Sequence, residues 1–457
     1  MKRKLFFSLL TVGLFALTLS AQVRNDGNTP LRFSLEEARL YASENNYDVI
    51  NAIKEIEIAR KKVRETTAIG LPQVNGSVAY TDFIELPTQL IPAEFLDPND
   101  PSLKGTFFPV KFGTKYNMSA SLTASQLIFS GEYIVGLQAS RAFVDFSQKQ
   151  LDKALIELDH AVAQSYYTIL VVERSKTIVD STLVSLKEIE RATQALFENG
   201  FIEDTDVDQI SLLISDLQAS VIDLERNLGI SYNLLKFTMG VPLEQKVELT
   251  DDLDELVDVV NKEVLAQTQF DYRKNIDYQI LENQHELAHL NLKRYQSQYL
   301  PQLYTFLSYQ QNAQRQEWNF LKSGEQWFPT AIWGVQLDIP IFQSGARSSQ
   351  ISQAKIQLDQ LSVVDQKLKS GLQLQHNTLQ NNFLSAWKVY QNKQEGLRLS
   401  EKIYNKTISK VFEGVSSSIE LQQNYSQYLS SESDYLMAII NMLNAKLELE
   451  KILTENR

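Results

Sequence analysis

Residues 137–199 contain neither glycine nor proline, the two residues that most readily break a helix. Within that stretch Leu155, Leu158, Val162, Tyr166 and Ile169 recur at spacings of three and four, and Val179, Leu183 and Leu186 resume the pattern. One helical face is therefore apolar over a great length. Continuous helix over 131–199 measures about 100 Å at 1.5 Å per residue. Globular helices average only about three to four turns, so the spacing predicts a coiled-coil-like rod and not an element of a packed domain. No proline follows Pro340, and residues 345–413 predict a second rod of the same length.

Between the rods the period changes. Met118, Ala120, Leu122 and Ala124 alternate with Asn117, Ser119, Ser121 and Thr123, and Trp333, Val335, Leu337 and Ile339 alternate with Gly334, Gln336 and Asp338. A period of two with one apolar and one polar face predicts strands wetted on one side. Segments 74–82 and 303–312 complete two hairpins. The first is joined by residues 82–113, which hold five of the eleven prolines and predict a long irregular loop. The second is joined by residues 313–329, with Trp318, Trp327 and Phe328 at its flanks.

The two hairpins belong to a duplication. "LPQVNGSVAY" at 71–80 is echoed by "LPQLYTFLSY" at 300–309, and 59–82 aligns without a gap on 288–311. Pro72 and Pro301 each end a helix, because proline donates no helical hydrogen bond and forces the residue before it into extended geometry. "IFSG" ending at Gly131 matches "IFQSG" ending at Gly345, so Pro72, Pro301, Gly131 and Gly345 mark four corners between helix and strand. "FENGFIEDTDVDQ" from Phe197 matches "FEGVSSSIELQQ" from Phe412, with Gly200 opposite Gly414 and Val207 opposite Leu421. One unit of helix, strand pair, long helix, turn and helix is expected twice, over 33–240 and 241–454.

The first 21 residues carry Lys2, Arg3 and Lys4, an apolar run from Leu5 to Leu19, and small residues at Ser20 and Ala21. This is the pattern of a secretory signal peptide, too short to be read as a membrane span. Beyond it 41 basic residues face 56 acidic ones, a net charge of −15 that argues against a nucleic-acid partner. The absence of cysteine excludes disulfides, thiolate metal sites and a lipid-modified N-terminal cysteine. With no later run of 18 apolar residues, entry into a membrane would require strands closed into a barrel. Four strands are too few to close, since about eight is the smallest number seen. The chain must associate, and three copies would supply twelve strands.

With these residues together, the chain resembles the TolC-like family of outer-membrane efflux proteins over nearly everything after the leader. "SLEEARLYASENN" from Ser34 is similar to the family's opening helix, with Ser34 and Glu37 in a capping-box pattern. "PIFQSGARSSQ" from Pro340 resembles the corner into the long helix, and "GFIEDTDVDQ" from Gly200 the turn at the far end of the rod. The resemblance implies a mostly α fold in which a helical coiled-coil barrel joins a twelve-stranded transmembrane β-barrel shared by a homotrimer. It implies a channel and not an enzyme, without cofactor or metal, in the outer membrane and reaching into the periplasm. It further implies an exit duct for efflux or type I secretion, fed by a periplasmic adaptor and an inner-membrane RND or ABC transporter.

The family's periplasmic mouth is narrowed by acids just past the second turn. Alignment on Gly414 assigns the first of these positions to Glu420 and the second to Gln423, where an acid is usual; Ser416 stands where a basic residue can occur. Asp206 is the matching acid of the first half. A ring of three Glu420 carboxylates would attract cations. As ordinary surface residues, the same acids suit helix N-termini, whose dipole favours negative charge. The turns Gly200, Phe201, Ile202 and Gly414, Val415, Ser416 are the candidate adaptor contacts, and a glycine at each suits a chain reversal.

Two further motifs carry a competing reading. "HELAH" at 285–289 fits the zinc-peptidase pattern, but its counterparts in the first half are Ile56, Glu57, Ile58, Ala59 and Arg60, so helix-surface histidines are expected. Tyr80, Tyr309, Trp327, Phe328 and Trp333 suit an aromatic belt at a membrane interface, or cross-strand packing. A long coiled-coil structural or adhesive surface protein would explain the rods and leave the amphipathic hairpins unused.

Overall fold

The computed structural model describes residues 30–95, 101, 104–260, 269–413 and 415–454; the expected leader at 1–21 and Gly414 lie outside them. The described chain opens with β1 (Leu31–Phe33), α1 (Leu35–Asn45) and α2 (Tyr47–Ile69). Ser34 caps α1 reciprocally. Its hydroxyl accepts from the Glu37 N–H at 3.3 Å, and the Glu37 carboxylate accepts from the Ser34 N–H at 2.8 Å. Asn46, extended at ψ 135°, then separates α1 from α2 and caps the latter through bonds from the Asp48 and Val49 amides. The expected single opening helix is thus two.

Gly70 and Pro72 carry the chain from α2 into β2 (Gln73–Asp82). Within the stretch expected to be irregular, β3 (Thr88–Pro92) and β4 (Phe107–Lys111) pair antiparallel. Pro92 and Pro109 are tolerated there because both strands of a two-stranded ribbon are edges, where a residue without an amide hydrogen can face outward. β5 (Tyr116–Phe129) returns along β2, and Ser130 caps α3 (Gly131–Glu198) by accepting from the Tyr133 N–H at 3.3 Å. A Cβ at Gly131 would lie 2.7 Å from Leu300 Cδ1 and 3.1 Å from the Ser297 carbonyl oxygen, so glycine lets α3 start close to the second helix–strand corner without its neighbours giving way.

After the far turn, α4 (Asp204–Met239) runs back along α3. Next come β6 (Val247–Leu249), α5 (Leu253–Asp258) and α6 (Ile276–Ser297). Pro301 leads into β7 (Gln302–Arg315), followed by β8 (Phe328–Asp338), α7 (Ala346–Phe412) and α8 (Ser418–Leu453). The two expected rods are present as α3 and α7, of 68 and 67 residues, each about 100 Å long. Gly345, at φ 81°, caps α7 without a side chain, where Ser130 caps α3 with one.

Two large apolar cores hold the rods, and a small third cluster, Val135 and Ala142 of α3 with Leu290 of α6, ties α3 down near the sheet. In the larger, α1 and the parallel pair β1–β6 pack with the middle of α3 and of α7, the C-terminal end of α4 and the second half of α8 around fully buried Tyr166, Leu235, Met239 and Ile439. The Tyr166 hydroxyl donates to the Phe33 carbonyl at 3.0 Å and accepts from the Asp251 N–H at 3.3 Å, and burial pushes that phenol well above its ordinary pKa. Three-residue strands such as β1 and β6 carry no readable period, so this collar has no signature in the sequence. The smaller core lies towards the far turns. There Leu186 and Ile189 of α3, Ile210 and Ile214 of α4, Tyr404 of α7, and Leu421 and Tyr425 of α8 close on one another. Among the described residues no helix is long and apolar enough to cross a membrane.

Candidate functional site: the helical tips and the amphipathic sheet

At the first tip α3 ends in a Schellman turn: the Gly200 N–H donates to the Phe197 carbonyl at 2.8 Å and the Phe201 N–H to the Leu196 carbonyl at 3.0 Å. Gly200 takes φ 75°, the left-handed region that side chains disfavour. Phe201 is left 77% exposed at the apex, and Ile202 is half-buried. The second tip closes similarly, with the Val415 N–H donating to the Lys410 carbonyl at 2.9 Å; Gly414 between them is outside the described residues. Val415 is as open as Phe201, at 73%. Among the described residues, the two apices therefore present bare apolar side chains, Phe201 at one and Val415 at the other.

The acids follow at once. Asp206 is the third residue of α4 and half-buried; Glu420 is the third residue of α8 and exposed. Both occupy the first turn, where unpaired amides favour negative charge. Glu420 is held from two sides: its backbone N–H donates to the Ser417 hydroxyl at 3.3 Å, and its carboxylate accepts from the Ser416 hydroxyl at 2.6 Å. Ser416 thus ties the acid down as a neutral donor. Glu203, the cap of α4, makes no such side-chain bond. Gln423 is exposed one turn beyond Glu420, while Leu421 beside it is buried in the smaller core and fixes the direction of the helix.

At the opposite end of the rods the four long strands form one antiparallel sheet in the order β2-β5-β7-β8. Register partners share a face, so the pairing sorts the side chains. Val74, Ala124, Leu307 and Trp333 stand in one apolar row across the sheet. Ser77, Ser121, Gln310 and Thr330 stand in a polar row on the other face, with the Ser77 and Ser121 hydroxyls 2.8 Å apart. Thr123 and Ser308 are similarly bonded at 2.9 Å. Among the residues of these strands, the polar face carries one charge, Asp338 at its helix-proximal end. β2 and β8 are the outer strands, and each leaves a whole edge unpaired.

The expected belt aromatics divide between these surroundings. Tyr80, Tyr309 and Trp333 lie on the apolar face; Phe328, opposite Asn312, lies on the polar one. Trp327 packs instead within the β7–β8 loop, 6.4 Å from the ring of buried Phe320. His285 and His289 lie along α6, half-buried and exposed, and among the described residues no group of three His, Cys, Asp or Glu side chains is arranged to hold a metal. His160 faces Glu448 at 3.1 Å, and His376 stacks on Phe270 with ring centroids 4.9 Å apart.

Residues 41–241 match the sequence profile of the outer membrane efflux protein family. No curated protein sequence matches the chain. Solved structures match it along nearly its whole length. CusC, described in terms of transmembrane channel formation, shares 16% identity at a TM-score of 0.70, over 92% of each chain. The outer membrane protein VceC of Vibrio cholerae shares 12% identity at 0.67, over 92% of this chain and 96% of its own. The open-state outer membrane channel MtrE of Neisseria gonorrhoeae shares 17% at 0.69, over 92% and 88%. At such identities the likeness is one of fold.

Proposed function

We propose, from the match of residues 41–241 to the outer membrane efflux protein family, that this chain is a trimeric exit duct of the outer membrane. Three copies each lend four strands to a twelve-stranded barrel, and their helices continue as a tunnel into the periplasm. One observation carries the reading: a four-stranded sheet, apolar on one face and polar on the other, with both edges unpaired. Such a sheet is stable in lipid only when its edges find partners, because an unpaired backbone group in hydrocarbon costs several kcal/mol. Ten residues of β2 span about 33 Å, or about 25 Å once tilted as barrel strands are, which suits the apolar band of an outer-membrane barrel.

Exposed apolar side chains along the rods support the same association. Ile222, Ile230 and Phe237 on α4 and Ile356, Val363 and Leu374 on α7 are open in the single chain, as surfaces awaiting neighbouring copies would be. The near-equal rods support reading 33–240 and 241–454 as two copies of one unit, six of which would complete a tunnel. Purified in detergent from outer membranes, the protein is expected to run as a trimer that dissociates on heating, and to give unitary conductance steps in planar bilayers. A monomer that needs no detergent and conducts nothing would overturn the reading.

At the periplasmic mouth the proposed constriction is a ring of Glu420, with Asp206 beside it and neutral Gln423 in place of a second acid. Glu420→Ala is expected to lower cation preference and change single-channel conductance; unchanged values would remove Glu420 from the ring. The apices Gly200 to Ile202 and Gly414 to Ser416 are the proposed docking points for a periplasmic adaptor, through which an RND or ABC pump delivers substrate. Bare Phe201 and Val415 suit an apolar partner surface.

A further inference from the structure

Leu429, Glu432 and Leu436 lie on one face of α8 at spacings of three and four, so the pattern asks for an apolar residue where Glu432 stands. That face packs into the seam between α8 and the α3–α4 hairpin. Leu429 packs on the smaller core and Leu436 belongs to the larger, so the two apolar cores part company at Glu432. The side chain is only 8% exposed, and its Oε2 has no hydrogen-bond partner. Beside it is a cavity of about 300 Å³, walled by α3, α4 and α8 and reached by Ser175, Ser220, Asn227 and Ser433. At about 30 Å³ per water, that is room for several molecules next to a carboxyl group.

The charged and titratable groups facing Glu432 pull in both directions, and among the described residues none forms a salt bridge with it. Tyr428, one turn earlier on α8, lies beside it and favours its ionised form. Arg174 on α3 favours the ionised carboxylate but is shared with Asp254 at 3.7 Å, and Asp223 on α4 is paired with Arg226 at 3.1 Å. Glu401 on α7 adds like charge. We propose that Glu432 is a protonation-controlled joint between the two helical hairpins: uncharged, it lets α8 stay seated on α3 and α4, and ionised, it draws water into the cavity and loosens the seam. Burial, the largest influence on this carboxyl, raises its pKa above the ordinary value, in keeping with that role.

The sign follows from linkage. The seated state holds its proton to higher pH than the loosened one. Seating is therefore fully favoured below the ordinary carboxylate pKa and is lost as pH rises through the raised value. Within that window the opening equilibrium grows by up to about tenfold per pH unit. The joint goes beyond the duct reading, and its test needs no transport: hydrogen–deuterium exchange of the full-length protein in detergent, corrected for intrinsic rates, from pH 4.5 to 8.5. Wild-type peptides spanning 418–436 are expected to lose protection as pH rises, while Glu432→Gln, which mimics the protonated acid, keeps protection high and flat. Corrected wild-type protection that does not vary with pH would overturn the proposal without any variant. A Glu432→Gln protein that folds, by its circular dichroism, and keeps the wild-type pH dependence would overturn it as well.

Discussion

Ser417 and Leu421 govern how the second tip is built, and each act can be measured. The Ser417 hydroxyl satisfies one of the amides left open at the start of α8, so Ser417→Ala is expected to cost about 1 kcal/mol, seen as a lower melting temperature and faster amide exchange at Glu420. Leu421 is 1% exposed in the smaller core, and Leu421→Ala is expected to cost about 2–5 kcal/mol, the larger loss because a cavity is left behind. Glu420 could be singled out by aligning the second turn, on Gly414, with the family that the chain resembles. The bond from Ser416 could not, because it depends on how the chain reverses. Glu432 was hidden for another reason: an acid inside a long amphipathic pattern reads as solvated until the partner helices are known.

In the sheet, neighbouring residues of one strand face opposite surroundings, and this gives the sharpest contrast available. Val78 and Ser77 are adjacent on β2, yet Val78 joins the apolar face and Ser77 the polar one. Val78→Arg is expected to destabilise the assembly by about 2–4 kcal/mol if it lies near mid-membrane, and Ser77→Arg by much less. The check, under the trimeric reading, is the fraction of trimer that survives titration with denaturant. Alternation of polar and apolar residues makes the four long strands legible in the sequence. It fails for Phe328, whose phase is set by the loop before β8, and for β3 and β4, where prolines argue against strands. The rods are legible almost to the residue, since length without glycine or proline leaves few alternatives.

Over the whole molecule, long helices bound at mid-length by one core and near the tips by another leave the stretch between them free to yield. Disturbing the larger core should therefore cost stability: Tyr166→Phe, which deletes the hydroxyl joining Phe33 to Asp251, is expected to lower the melting temperature, and under the duct reading it should leave the cation preference proposed for Glu420 unchanged. Neither that collar nor the seam could be inferred from periodicity, because both depend on which helices meet. The bare edges of β2 and β8 carry a genetic consequence under the trimeric reading. A chain whose β2 edge is spoiled can still join through β8, and so will poison the rings it enters. Co-expressed in equal amount with the normal chain, it should leave roughly one ring in eight free of faulty subunits if subunits mix at random. Inheritance of such a defect would be dominant, although the damaged gene merely loses function.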